Sequence, residues 1–132
     1  MGMDLCAVRP ADDTFARASV SWTGWDMLNR ILVSLGCDVS SMSDSNDGDP
    51  IDEATCLAWA AALNAAWPHI LVFVEEDGDG AALVLSTDAD AVAAAEQFFA
   101  APGVAISEDD EFGPELDDVR LFLAQCGGCI QE

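Results

Sequence analysis

The chain has no lysine, and besides His69 its only basic side chains are Arg9, Arg17, Arg30 and Arg120, set against 25 carboxylates. Between Ile31 and Val119 there are twenty acids and neither Lys nor Arg, so pairing within the chain neutralises few of them and a formal charge of −21 remains. A field of that sign repels nucleic acid and anionic membranes, and it steers cationic surfaces toward the chain. Long apolar runs are missing as well. Nowhere do about eighteen such residues follow one another, which excludes a transmembrane helix on length. The stretch from Met1 to Pro10 lacks the basic flank and apolar run of a signal peptide, so a cytoplasmic protein is expected.

The usual constellations of an enzyme are lacking too. There is no Gly-rich phosphate loop, nucleophile elbow or arginine clamp. The single histidine, His69, follows Pro68 at the entrance to an apolar strand, where a lone imidazole is more often structural than catalytic. Close carboxylate pairs would raise one another's pKa, but among so many acids such pairs arise by crowding alone. No enzymatic activity is expected, and no cofactor.

What is present is a large apolar fraction, 52% of 132 residues, with four Trp and six Phe. That is too much for a solvated tail. One domain over residues 1–132 is expected, with an ordered core beneath an acidic shell and about two-thirds of the unfolded surface buried.

Asp4 to Val8 and Ala18 to Trp22 read as short strands, the second with an alternating Val20/Trp22 face. Thr23 then caps a helix in which Trp25, Leu28, Ile31, Leu32 and Leu35 recur at helical spacing, and Gly36 ends it. The segment Asp38 to Pro50 is polar enough for a surface loop. A second helix runs from about Asp52 to Trp67, with Cys56, Trp59, Ala60, Leu63 and Trp67 on one face and Pro68 as terminator. Ile70 to Val74 and Ala82 to Leu85 flank the turn signal Asp77-Gly78-Asp79-Gly80 and form a β-hairpin. Thr87 or Asp88 caps a third helix, Ala89 to Ala101, with Val92, Phe98 and Phe99 turned inward. Val104 to Ser107 reads as a last strand. Pro114 opens a fourth helix with Leu116, Val119, Phe122, Leu123 and Cys126 as its buried stripe and Gly127 as its stop. This order predicts an α+β fold: a small antiparallel sheet including a central hairpin, packed by about four helices.

The opening Met1-Gly2-Met3-Asp4, the segment Asn46-Asp47-Gly48-Asp49 before a helix, and the closing Phe122-Leu123-x-x-Cys126-Gly127-Gly128 resemble a loosely defined group of uncharacterised small bacterial and phage proteins. The resemblance implies no activity.

Two motifs invite a metal. Asp44-Ser45-Asn46-Asp47-Gly48-Asp49 looks like a calcium loop, but with Gly48 at the sixth position Ser43 and Ala54 fall at the first and twelfth, so the EF-hand register fails. Cys126-Gly127-Gly128-Cys129 has the two-residue spacing that lets both thiolates reach one zinc ion, yet a structural site needs further ligands. Cys6, Cys37, Cys56 or His69 would have to converge on the pair. Five cysteines without an export signal are expected to be reduced. The favoured reading of the C-terminal pair is a glycine helix cap with bystander thiols, and no metal is expected.

The acids gather in loops, turns and helix starts: Asp44, Asp47, Asp49, Asp52 and Glu53; then Glu75, Glu76, Asp77 and Asp79; then Asp88 and Asp90; then Glu108, Asp109, Asp110 and Glu111, continuing to Glu115, Asp117 and Asp118. Helix capping and the macrodipole explain Asp52, Asp88 and Glu115, but not the run Glu108 to Glu111. Duplex DNA carries one charge per roughly 1.7 Å, so the net charge of this chain corresponds to roughly 36 Å of duplex. A DNA mimic is therefore expected, in which Asp44, Asp47, Asp49, Glu75, Glu76, Asp77, Asp79, Glu108, Asp109, Asp110, Glu111, Glu115, Asp117 and Asp118 meet the groove of a basic nucleic-acid-binding protein. Small phage proteins that mimic DNA against restriction or CRISPR machinery are alike in charge and size. The alternatives are an acidic interaction module with an apolar contact around Trp22, Trp25 or Phe112, whose charge reflects host composition or salt adaptation, and a small metal-binding domain built on Cys126 and Cys129.

Overall fold

The computed structural model describes residues 2–45, 47–75 and 80–132. The fold is α+β, with two small antiparallel sheets rather than one. The first sheet has four strands: β1 (Gly2–Ala7), β2 (Arg17–Ser21), β3 (Asp49–Ile51) and, after the other strands, a C-terminal β7 (Cys129–Gln131). Their order is β2-β1-β7-β3. Met3 lies opposite Val20, Leu5 opposite both Ala18 and Gln131, and Ile51 opposite Cys129. The two-residue period turns these side chains into the core, where all are buried. Asp4, Arg17 and Ser19 alternate with them: Arg17 lies 2.9 Å and the Ser19 hydroxyl 2.6 Å from the Asp4 carboxylate.

Against this sheet pack α1 (Trp22–Ser34) and α4 (Phe112–Gln125), with α2 (Glu53–Ala66) laid across α4. α1 also touches the second sheet, made of β4 (Ile70–Val74), β5 (Ala81–Leu85) and β6 (Val104–Ala105) in the order β5-β4-β6. Ile70, Val72 and Leu83 join the common core. Phe73 points to the opposite face, where Phe99 of α3 (Ala89–Phe99) stacks on it at 5.6 Å. Burying a Leu, Ile or Phe side chain contributes about 1.5–3 kcal/mol relative to leaving it in water, so the cluster around Leu5, Leu28, Leu63 and Phe122 carries the fold.

Several local expectations are corrected. The α1 cap is Ser21, whose hydroxyl accepts from the Gly24 amide at 3.0 Å, and Thr23 lies inside the helix. Trp22 accordingly belongs to α1 and not to β2. Asp49 and Pro50 form strand rather than loop, because the short β7 that follows Gly128 offers them a ladder. Ser107 belongs to a 3-10 turn (Ile106–Glu108), leaving only Val104–Ala105 as strand. In α3 Ala95 is the buried residue, Val92 is half-buried, and Phe98 is 73% exposed, held edge-on to Phe99. Helix α4 begins at Phe112, and Pro114 sits within its first turn.

The segment between α1 and β3 is tied down along its length. The Trp59 indole donates to the Asp38 carbonyl at 3.1 Å, and the Trp25 indole donates to the Ser43 carbonyl at 2.7 Å. The fully buried Gln131 side chain accepts from the Ser43 amide at 2.7 Å and donates to the Ser41 and Asp49 carbonyls. Burying an amide this deeply is tolerable because each of its polar atoms has a partner.

Candidate functional site

Each arginine is engaged with an acid. Arg17 pairs with Asp4, Arg30 with Asp26, Arg120 with Asp117, and Arg9 lies 3.9 Å from Glu53. These pairs account for every Lys or Arg of the chain and leave the formal charge of −21 uncompensated. Exposed pairs of this kind stabilise a fold by only about 0–1 kcal/mol each. Their effect here is to set each arginine's charge against a neighbouring acid while most of these side chains stay exposed.

The expected contact acids fall into distinct environments. Asp44 and Asp49 are exposed and, with Asp26, line a groove of about 810 Å³ whose floor includes Trp22 and Trp25. Asp47 is exposed beside it, accepting from the Ser45 hydroxyl at 2.5 Å. Glu75 stands at the end of β4. Glu76, Asp77 and Asp79 lie outside the described residues, as does Asn46 of the calcium-like loop. Glu108, Asp110, Glu111 and Asp118 are exposed.

Three acids have structural work that their spacing hides. Asp109 accepts from the amides of Glu111, Phe112 and Gly113 at 3.2, 2.6 and 3.0 Å, satisfying the free donors at the start of α4. The run Glu108 to Glu111 therefore does contain a helix cap. Glu115 reaches out of α4 and accepts from the Ser21 amide and hydroxyl, so it supports the start of α1. Asp117 holds Arg120, which also donates to Asn64 at 2.5 Å and lies 4.5 Å over the Trp67 ring. That arginine lines the same depression, about 450 Å³, as Asp109, Asp110 and Asp117, so a cation absent from the local sequence is supplied by the fold. The apolar contact expected around Phe112 is not available, since Phe112 is buried; Trp25 is buried too, and Trp22 is half-buried.

Inside the protein lies a second group. Cys56 from the first turn of α2, Cys126 at the end of α4 and Cys129 at the start of β7 place their sulfurs within 4.8 Å of one another. Cys56 and Cys129 are 3.9 Å apart, and all three residues are fully buried. The Cys129 and Cys56 thiols and the Gly128 amide donate toward Cys126 and hold its pKa down. Cys56 and Cys129 are raised, chiefly because each is hydrogen-bonded to Cys126. The turn between the last two needs both its glycines, with φ of 66° at Gly127 and 96° at Gly128. A Cβ at Gly127 would stand 2.7 Å from the Arg9 carbonyl oxygen. Spacing alone suggested the Cys126/Cys129 pair; the third thiol is supplied by the packing of α2 on α4.

No protein-family model matches the chain, and no curated protein or solved structure matches it. Among the described residues no helix is long and apolar enough to cross a membrane. What can be assigned directly is therefore the class: an acidic α+β protein whose four arginines are each paired with an acid and which holds a buried thiol cluster.

Proposed function

We propose that the protein is a non-enzymatic inhibitor, acting in the cytoplasm, that presents its carboxylates to the nucleic-acid-binding groove of a basic protein, either a bacterial defence protein of the CRISPR or restriction kind or another DNA-binding protein. The observation that carries this reading is the engagement of all four arginines in ion pairs, which leaves 21 excess negative charges for a partner. Arg and Lys of the target groove pair with these acids as they would with phosphates, arginine making the stronger bidentate contacts. The exposed acids Glu108, Asp110, Glu111 and Asp118, together with Asp44, Asp47 and Asp49, are the contact residues of this proposal. Asp109, Glu115 and Asp117 support them from within the fold.

A second reading, an acidic module that binds a protein with no affinity for DNA, is favoured by the groove over Trp22 and Trp25. Its exposed Asp26, Asp44 and Asp49 beside the half-buried Trp22 suit a cationic side chain. A pull-down from bacterial lysate, with the captured proteins challenged by duplex DNA and by salt, separates the two. The mimic requires capture that DNA competes and that weakens steeply with salt. Recovery only of proteins that do not bind DNA overturns it in favour of the second reading.

A further inference from the structure

The buried thiols are arranged as ligands. We propose that Cys56, Cys126 and Cys129 form a structural site for one thiophilic metal ion of the copper(I) and zinc class, held by three thiolates and independent of the acidic surface.

The argument is geometric. Three sulfurs bound at about 2.3 Å to a common ion lie roughly 3.8–4.0 Å from one another. The Cys56 and Cys129 sulfurs are already 3.9 Å apart, and the third sulfur is within 4.8 Å of both. Small side-chain rotations close the set. Cysteines that merely fill a core have no reason to converge on one point from two helices and a strand. A helix stop needs one left-handed glycine; here a second left-handed glycine follows, and together they bring Cys129 back beside Cys126.

The chemistry of the donors narrows the occupant. An all-sulfur set selects copper(I) or zinc over magnesium or calcium, which take oxygen ligands. Among the described residues no fourth His, Cys, Asp or Glu joins the cluster, which suits three-coordinate copper(I) better than tetrahedral zinc. On binding, each metal–sulfur bond replaces an S–H bond and the displaced proton passes to solvent. No oxidation or reduction is involved.

The test uses the full chain, fully reduced and metal-free under argon, titrated separately with Zn²⁺ and with a copper(I) complex. The expected result is one ion of at least one of the two metals per chain, with sulfur-to-metal charge-transfer absorption. Cys56→Ser, Cys126→Ser and Cys129→Ser should each weaken binding by at least about 100-fold, while Cys6→Ser and Cys37→Ser leave it unchanged. Because a ligand variant can fail to fold, X-ray absorption of the metal-loaded wild type gives an independent reading: three sulfur ligands at about 2.3 Å should surround the ion. No stoichiometric binding of either metal overturns the proposal. Retained binding in Cys56→Ser, or X-ray absorption showing only two sulfur ligands in the wild type, overturns the three-thiolate site in favour of the C-terminal pair alone.

Discussion

The sulfurs of Cys56 and Cys129 lie 3.9 Å apart although 73 residues separate them in the chain. Cys56 is held by α2 and Cys129 by β7, and Ile51, two residues before the start of α2, pairs with Cys129 across the sheet. This contact divides the five thiols into two populations. In metal-free protein, a thiol reagent should modify the half-buried Cys6 and Cys37 first and reach Cys56, Cys126 and Cys129 only on unfolding. The hydrogen bond to Glu132 raises the Cys6 pKa and desolvation raises that of Cys37, so the two early reactions should accelerate with rising pH. Rapid modification of more than two thiols in the native state, followed by mass spectrometry, would refute this division.

Gly127 and Gly36 both adopt positive φ, yet they should respond differently to alanine. At Gly36 nothing lies within 4 Å of the added Cβ, so Gly36→Ala costs only the left-handed backbone, about 1–2 kcal/mol. At Gly127 the same backbone cost is joined by a collision with the Arg9 carbonyl, so Gly127→Ala should be clearly the more destabilising. Urea denaturation of the two variants makes the comparison, and equal midpoints would mean that the segment around Arg9 yields freely.

Within the acidic run, stability should separate Asp109 from its neighbours. Asp109→Ala removes the acceptor for three amides at the start of α4 and should cost about 1 kcal/mol. Glu108→Gln, Asp110→Asn and Glu111→Gln remove exposed like charges and should leave the melting temperature unchanged or raise it. A target-binding variant is therefore best made at these three positions with Asp109 kept. If all four substitutions proved equivalent in thermal melts, Asp109 would have no capping role.

Gln131→Ala should destabilise by about 1–3 kcal/mol, because it removes the fully buried side chain that partners the Ser43 amide and the Ser41 carbonyl. Hydrogen exchange should rise at Ser43 in particular, while the amides of α4 keep their protection. Unchanged exchange at Ser43 would show that the Trp25 and Trp59 indoles hold the segment unaided.

Stability should have a maximum on the acid side of neutrality. Self-repulsion of the charge of −21 weakens the fold at pH 7, so added salt, or acidification toward about pH 5, should raise the melting temperature. Asp4, Asp38 and Asp52 act in the opposite sense. Ser19 and Arg17 lower the pKa of Asp4, Ser40 lowers that of Asp38, and Thr55 lowers that of Asp52. Their contribution is present above the unfolded value of about 3.9 and is lost as pH falls through the depressed values. Thermal melts from pH 7 to pH 2 should therefore rise and then fall; a monotonic decline from pH 7 would rule out repulsion as the limiting term.

Composition and spacing determined a good deal by themselves. Apolar residues at helical intervals placed α1 through α4, and Gly36 and Gly127 marked two helix ends, because periodicity and left-handed backbone are local properties. The antiparallel pairing of Ile70–Val74 with the run read as Ala82 to Leu85 was legible from the two apolar runs, while the turn signal between them lies, except for Gly80, outside the described residues. Net charge needs no fold to be counted. Strands β3 and β7 escaped notice because three residues carry little period, and their ladder exists only when each finds the other. Likewise, an aspartate that caps a helix, a glutamate that supports a neighbouring helix and one that faces solvent look alike in a string of letters. Only the packing of α4 on its neighbours separated Asp109 from Asp110 and Glu111 and gave Glu115, already read as a helix-start acid, its contact with Ser21. Only the crossing of α2 and α4 brought Cys56 to Cys126 and Cys129, since a contact between distant segments follows from three-dimensional closure and not from any local preference.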